Sequence, residues 1–126
     1  MPGADLTFQE IVNTELETAF PAVRQGAEPP GDGGFPYIQF GQSHEDDDYA
    51  PGSSVTIEIH TWSTAEGPHE VKNMQHEIKS RLQKCKHVRG DYQFTAVRQK
   101  LSDVFLDEDG ETWHGVQRFR ALASPI

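Results

Sequence analysis

Residues 55–62 read VTIEIHTW, which is the clearest strand pattern in the sequence because apolar and polar side chains alternate along it. Val55, Ile57 and Ile59 would share one face of an extended chain, and the residues between them are polar. This period of two is typical of a strand that is buried on one side. The sequence therefore predicts a strand with one face in the core and one face that meets solvent or another chain.

An amphipathic helix is predicted upstream of this strand, from about Leu6 to Phe20. Thr7 is followed three residues later by Glu10, a spacing that fits a capping box at the helix start. Pro21 cannot continue the helix comfortably and predicts its end. Apolar residues recur at helical spacing and form one stripe, which consists of Phe8, Ile11, Val12, Leu16 and Ala19.

A second helix is predicted downstream of the strand, roughly from Pro68 to Lys86. Proline suits the first turn of a helix, where its missing amide hydrogen is not needed. The apolar residues form a narrow seam of the width that a helix shows when it lies across one sheet; they are Val71, Met74, Ile78, Leu82 and Cys85.

Three further strands complete the predicted fold, at 35–40, 92–106 and 112–122. The last two are joined by Asp107-Glu108-Asp109-Gly110, in which glycine tolerates the backbone angles of a tight hairpin turn. In the second of these strands we expect Phe94 and Ala96 to share one face. The order α-β-β-α-β-β predicts an α+β fold, with a mostly antiparallel sheet of about four strands and both helices packed on one face.

Two segments between these elements are predicted to be flexible loops. Residues 25–34 are dense in glycine and proline, and residues 43–54 lack periodicity and contain the acidic run Glu45-Asp46-Asp47-Asp48. The chain of 126 residues has the size of one domain, so we expect residues 1–126 to form a single unit.

The composition limits the possible function. Twenty acidic residues against 11 Lys and Arg give a formal net charge of −9, which argues against an electrostatic nucleic-acid binder or a basic membrane-surface protein. No apolar run approaches the 18 or so residues of a membrane span. The single cysteine, Cys85, excludes an internal disulfide and a thiolate zinc site.

Catalytic and metal-binding patterns are weak. No serine lies in a Gly-x-Ser-x-Gly turn, and the acidic runs lack the ligand spacing of an EF-hand. His69 and His76 are seven residues apart, whereas a helical zinc site needs a closer pair. His60 and His114 lie on predicted strands and could approach each other across the sheet. We expect no catalytic, cofactor or metal site; a small metal-dependent enzyme built on the acids and histidines is the alternative.

Aromatic rings and arginines are concentrated on the predicted strands. Such residues are enriched at protein interfaces, so they indicate a self-association surface, although core aromatics with satisfied charges would give the same pattern. The residues of this predicted interface are Tyr37, Glu58, His60, Trp62, Trp113, His114, Arg118 and Arg120.

Four motifs occur in a recognisable order: FPYIQFGQ at 35–42, VTIEIHTWS at 55–63, the helix from residue 68, and DEDGETWHGVQRFRAL at 107–122. Together they resemble the tail-completion or tail-terminator proteins of long-tailed bacteriophages and phage-like gene transfer agents. The hairpin signature D-x-D-G…H-G-x-x-R-F-R-A is the most specific part. The acidic stretch 43–54 departs from the family pattern and looks like an elaborated loop.

The resemblance implies a virion protein without catalytic residues or cofactors. Such a subunit forms a hexameric ring on the last ring of the tail tube, stops tube growth and offers a docking surface to the head connector or stopper. It would be assembled in the bacterial host cytoplasm and reside at the neck, with no membrane partner. Another neck or head-completion connector subunit is the alternative within the same class of particle.

Duplex DNA would pass through the ring without specific binding. An acidic lining would let DNA slide, because a basic lining would hold it by counterion release. We therefore expect some of the loop acids to face the channel, although they could equally serve only to keep the subunit soluble. The acids concerned are Glu45, Asp46, Asp47, Asp48, Asp107, Glu108 and Asp109.

Overall fold

The fold combines two helices with one sheet. The computed structural model describes residues 3–21, 24–26, 36–46, 52–83 and 86–126. Along the chain, the elements are α1 (Ala4–Ala19), β1 (Arg24–Gly26), β2 (Tyr37–Asp46), β3 (Ser53–Ser63), α2 (His69–Leu82), β4 (Lys86–Arg89), β5 (Tyr92–Leu106) and β6 (Trp113–Pro125).

The sheet has six strands in the order β1-β2-β3-β6-β5-β4. The β1–β2 pair is parallel and all other pairs are antiparallel. The α+β class and the mostly antiparallel sheet are thus confirmed, but the predicted number of about four strands is wrong. The two missed strands lie at the sheet edges and have three and four residues, too few to show an alternating pattern.

Both helices pack against the sheet and against each other, which confirms the predicted layering. The alternation in β3 is borne out, since Val55, Ile57 and Ile59 are fully buried. Phe8 of α1 and Phe94 of β5 meet with ring centroids 5.1 Å apart. Neither of the two described helices is long and apolar enough to cross a membrane.

Helix α1 begins earlier than predicted, and the capping box is wrong. Its N-cap is Gly3, so Thr7 lies inside the helix and its hydroxyl donates to the Gly3 carbonyl at 3.2 Å. Glu10 instead accepts hydrogen bonds from Arg89, with the Nη2–Oε2 distance at 3.0 Å. Glu10 therefore ties α1 to β4. Of the predicted stripe, all but the half-buried Ala19 are buried.

Strand β2 continues through part of the predicted acidic loop. A register shift between Phe40 and Gln42 places a bulge at Gly41, where the sequence suggested the strand would end. Pairing with the long β3 then carries β2 on to Asp46. The loop prediction is therefore wrong for 43–46 and 53–54, and 47–51 lie outside the described residues. Of the other predicted loop, 25–26 belong to β1 and 27–34 lie outside the description.

Helix α2 ends at Leu82, four residues before the predicted Lys86. The buried His87 ring donates to the Leu82 carbonyl at 3.0 Å and satisfies the helix end. β4 then turns into β5 through Gly90-Asp91, with Gly90 at a φ of 58°. Four residues of the predicted seam are buried, and the fifth, Cys85, lies outside the described residues.

Strand β5 contains a bulge that reverses its side-chain alternation. Ala96 adopts a φ of 54°, and the register with β6 shifts between Thr95 and Arg98. As a result Val97 is buried with Phe94, whereas Ala96 is exposed, so the predicted pairing of Phe94 with Ala96 is wrong. β4 pairs only with residues 92–95, and no other described strand covers the same edge of β5 at 98–106.

Candidate interaction face

The helices cover one face of the sheet, and the opposite face, here called the outer face, carries the side chains that alternate with the core. On β3 these are Glu58, His60 and Trp62, which flank the buried Ile57, Ile59 and Thr61. The register with β6 places Glu58 opposite Arg118 and Trp62 opposite His114.

An aromatic stack covers one end of the outer face. The Trp62 indole lies on the His114 ring, with centroids 4.3 Å apart and planes 16° from parallel, and on the other side of this pair Phe105 lies 4.8 Å from His114. His60 stacks on Trp62 at 5.5 Å, and Tyr37 lies 6.2 Å from it. Trp62 is only 7% exposed, whereas Phe105 is 40% exposed. The stack is a preformed apolar platform with an open margin.

A chain of hydrogen bonds runs beside this stack. His60 Nδ1 lies 2.8 Å from His114 Nε2, and His60 Nε2 lies 2.8 Å from Glu58 Oε1. The Arg118 guanidinium donates to Glu58 Oε2 at 3.0 Å. Because the carboxylate can only accept, a neutral His60 donates through Nε2 and accepts at Nδ1 from His114. The approach of the two histidines that the sequence suggested is thus confirmed.

Two side chains in this hydrogen-bond network, Glu58 and His114, have shifted pKa values. Burial alone would raise the pKa of Glu58, but hydrogen bonds from Arg118 and His60 outweigh it and lower this pKa below its ordinary value. The pKa of His114 is lowered because burial disfavours its charged form and His60 lies beside it. A proton on both rings would place two cations 2.8 Å apart. The hydrogen-bond network is therefore arranged around a neutral His114.

Seven of the eight predicted interface residues share the outer face by strand register. Trp113 does not, because it is adjacent to His114 on β6 and alternation places it on the opposite face. Their role as an interface stays a prediction. Sequence reasoning missed Phe105 and Leu101, which are both 40% exposed on β5 opposite His114 and Arg118. Aligning the two strands across the predicted turn could have found them.

The predicted channel acids fall into two groups at opposite ends of the sheet. Glu45 and Asp46 end β2, next to the start of β3, whereas the 107–111 turn joins β5 to β6 near the end of β3. Glu45 is already engaged, since it accepts from the Ser53 hydroxyl at 2.9 Å and from the Asp5 amide at 3.4 Å. Asp46 contacts His44 at 3.1 Å. Asp47 and Asp48 lie outside the described residues.

Asp109 organises the turn at the hairpin tip. Its carboxylate accepts from the Thr112 hydroxyl and from the amides of Glu111 and Thr112. These hydrogen bonds, led by that of the Thr112 hydroxyl, lower the pKa of Asp109. The turn is closed by the Asp107 amide, which donates to the Thr112 carbonyl at 2.7 Å. Glu108 and Glu111 remain exposed on a shaped turn.

No three His, Cys, Asp or Glu side chains in the described ranges are placed to hold a metal ion together. His69 and His76, considered above as a helical pair, are both exposed on α2.

The chain matches a sequence-family model and chains of solved structures. Residues 12–124 match a sequence family described as tail completion protein gp17. One solved structure, described as a virion of a native gene transfer agent particle, contains a chain that superposes with a TM-score of 0.77. The two chains are 17% identical, and the match covers 95% of this chain and 97% of that one, so the likeness shows a shared fold. No curated protein matches the sequence.

Proposed function

Because the chain belongs to the tail completion protein gp17 family, we propose that it is a structural virion protein that caps the tail tube as a ring. In this proposal the ring ends tail elongation and offers the surface to which the head connector or stopper protein joins. The single observation that carries the proposal is the family match, which spans residues 12–124 and so includes the second half of α1, the whole of α2 and almost the whole sheet.

The outer face supports an assembly role. It presents an open apolar margin at Phe105 and a charged partner at Arg118, next to rings that are already ordered by stacking and hydrogen bonds. Ordered aromatic and arginine side chains bind partners at a low entropic cost, because little freedom remains to be lost. We propose that this face contacts the tail tube or a neighbouring subunit.

A passive DNA channel is part of the proposal. Six copies at −9 each would carry a formal charge of −54, which gives duplex DNA no basic surface on which to bind. Because the two acidic groups lie at opposite ends of the sheet, they need not both face the channel. We propose that the β2 end faces the channel, where Asp46 is exposed. The structural role requires no cofactor or catalytic group.

Deleting the gene in the producing cells tests this function. We expect the deletion to give tails of uncontrolled length or tails that do not join heads. Supplying the wild-type gene separately should restore normal particles. Electron microscopy of negatively stained particles measures tail length and head attachment directly. Normal particles in the deletion strain would overturn the proposal, and complete tails with defective heads would instead indicate a head-completion subunit.

A further inference from the structure

A second surface lies between α2 and β5, on the edge of the sheet and away from the outer face. This α2–β5 groove has a volume of about 470 Å³. Its helix wall is formed by Lys72, Gln75, His76 and Lys79, and its strand wall runs between Gln99 and Val104. This volume falls within the range of roughly 300–1,000 Å³ that concave binding sites span.

The groove exists because α2 takes the place of a neighbouring strand along β5. β4 pairs only with the first residues of β5, and beyond them the helix reaches the strand through glutamines. Gln83 accepts from the Gln99 amide at 2.7 Å, and Gln75 donates to the Asp103 carbonyl at 3.0 Å. Beneath them the buried Gln117 donates to the Gln75 carbonyl at 2.9 Å. These bonds fix both walls and leave a gap between them.

The groove is locally cationic in a strongly acidic chain. Lys72 and Lys79 are seven residues apart, so they lie on one side of α2, and both are exposed. Neither lysine forms an ion pair within the described residues. The one acid on the strand wall, Asp103, turns its carboxylate to the Val104 amide at 3.0 Å. The two ammonium groups are therefore available to an acidic partner.

The acidic turn at the tip of the β5–β6 hairpin has the complementary charge. The carboxylate of Asp109 is occupied by its hydrogen bonds within the turn. Glu108 and Glu111 are exposed and form no ion pair in the described part of the chain. Within one subunit the groove is lined on the strand side only as far as Val104, and no residue of the 107–111 turn lines it. A second copy of the chain has the same turn and offers an acidic partner of matching charge.

We propose that the acidic turn of one copy docks in the α2–β5 groove of the next copy. The contact joins two different surfaces of the same chain, and repetition of such a contact closes a ring when the rotation between copies permits it. This inference rests on the proposed ring and adds which surfaces meet. It places Glu108 and Glu111 near Lys72 and Lys79 of the adjacent copy.

Photo-crosslinking in assembled particles tests the contact directly. A benzophenone amino acid at position 108 should give crosslinked dimers of this chain, with the crosslink mapped by mass spectrometry to residues 72–83 or 99–104 of the second copy. The same probe at Glu17, exposed on α1, is the control and should give no crosslink to these segments. Dimers crosslinked elsewhere, or crosslinks from position 108 only to other proteins, would overturn the inference.

Charge reversal gives an independent readout. The groove variant K72E/K79E and the turn variant E108K/E111K should each reduce the yield of joined particles about tenfold or more, because like charges would face each other. The variant with all four changes should recover most of the yield. The single changes K86E and E17K, which reverse exposed charges elsewhere, serve as controls and should leave the yield near that of the wild type.

The outcomes separate this inference from the proposed function. Suppose that the chain forms a ring at the neck, but the variant with all four substitutions stays defective and no mapped crosslink is found. The docking inference then fails and the capping function survives. If the chain is absent from the neck, both fail. Circular dichroism of each purified variant must match that of the wild type, so that a folding defect is recognised.

Discussion

At the scale of single residues, Gly115 is the most closely packed of the described glycines, and it lies where β6 passes beneath α2. A Cβ atom at this position would lie 2.5 Å from Gln75 Nε2 and 2.6 Å from Val71 Cγ1. Both neighbours are buried, so they have little room to move. We predict that Gly115→Ala lowers the free energy of unfolding by about 1–3 kcal/mol, measured by urea denaturation.

Ser80→Ala on the exposed side of α2 is the control for this substitution. It should change the free energy of unfolding by no more than about 0.5 kcal/mol. If Gly115→Ala were equally neutral, the close approach of α2 to β6 would not be as described.

His114 gives a prediction for the pH dependence of stability. Its pKa is lowered in the folded protein, chiefly by burial, so the unfolded chain takes up a proton more readily. Stability should therefore decrease as the pH falls through about 6.5, the pKa of an unperturbed histidine, and level off below the folded pKa. Thermal unfolding between about pH 8 and 5 measures this loss.

His114→Gln should flatten the loss, because the titrating ring is removed, whereas His69→Gln on exposed α2 should retain it. Glu58 adds a separate contribution to the pH dependence of stability, at lower pH than His114. Its lowered pKa stabilises the folded state above the ordinary glutamate range, and this contribution is lost as the pH falls through the folded value. An unchanged profile in His114→Gln would contradict the role given to its burial.

At the scale of elements, the β5–β6 hairpin depends on the turn that Asp109 and Thr112 hold together. Thr112 is 5% exposed and its hydroxyl donates to Asp109. Thr112→Val keeps the shape and removes the donor, so we predict a loss of about 1 kcal/mol in the free energy of unfolding.

Thr61→Val is the matched control, since it makes the same chemical change at another buried site. The Thr61 hydroxyl oxygen has no hydrogen-bond partner among the described residues. Its replacement by a methyl group should leave stability unchanged or raise it slightly. Equal losses in both variants would mean that the Asp109–Thr112 bond does not stabilise the turn.

The sequence predicts those elements whose periodic pattern is long. The buried stripe of α1, the seam of α2 and the alternation of β3 are all found in the structure, because each extends over two turns of helix or several pairs of strand residues. The edge strands β1 and β4 and the extension of β2 beyond Gly41 could not be predicted. Their strand geometry comes from pairing with a neighbour, which no local pattern records.

The candidate site shows the same division. The approach of His60 to His114 could be anticipated, since both residues lie on predicted strands of one sheet. The engagement of Glu45 with Ser53 and of Asp109 with Thr112 could not, because a run of acids looks alike whether its carboxylates are solvated or hydrogen-bonded. The bulge at Ala96 likewise has no signal in the residue itself.

At the scale of the whole molecule, the net charge of −9 predicts how the protein meets DNA. The purified chain should show no measurable affinity for a short duplex at about 0.15 M salt, where exposed charges more than roughly 8 Å apart are largely screened. Fluorescence anisotropy measures this binding. Salt-sensitive binding in the micromolar range would show that a basic surface dominates, and the passive channel would have to be abandoned.

We propose that this chain closes the tail tube as a ring at the neck. Cryo-electron microscopy of intact particles, with the density between tail tube and head connector fitted by this fold, tests it most directly. We expect one closed ring of this chain on the last ring of the tube, with a central channel wide enough for duplex DNA. A neck density that holds no copy of the chain, or a ring located at the far end of the tail, would contradict it.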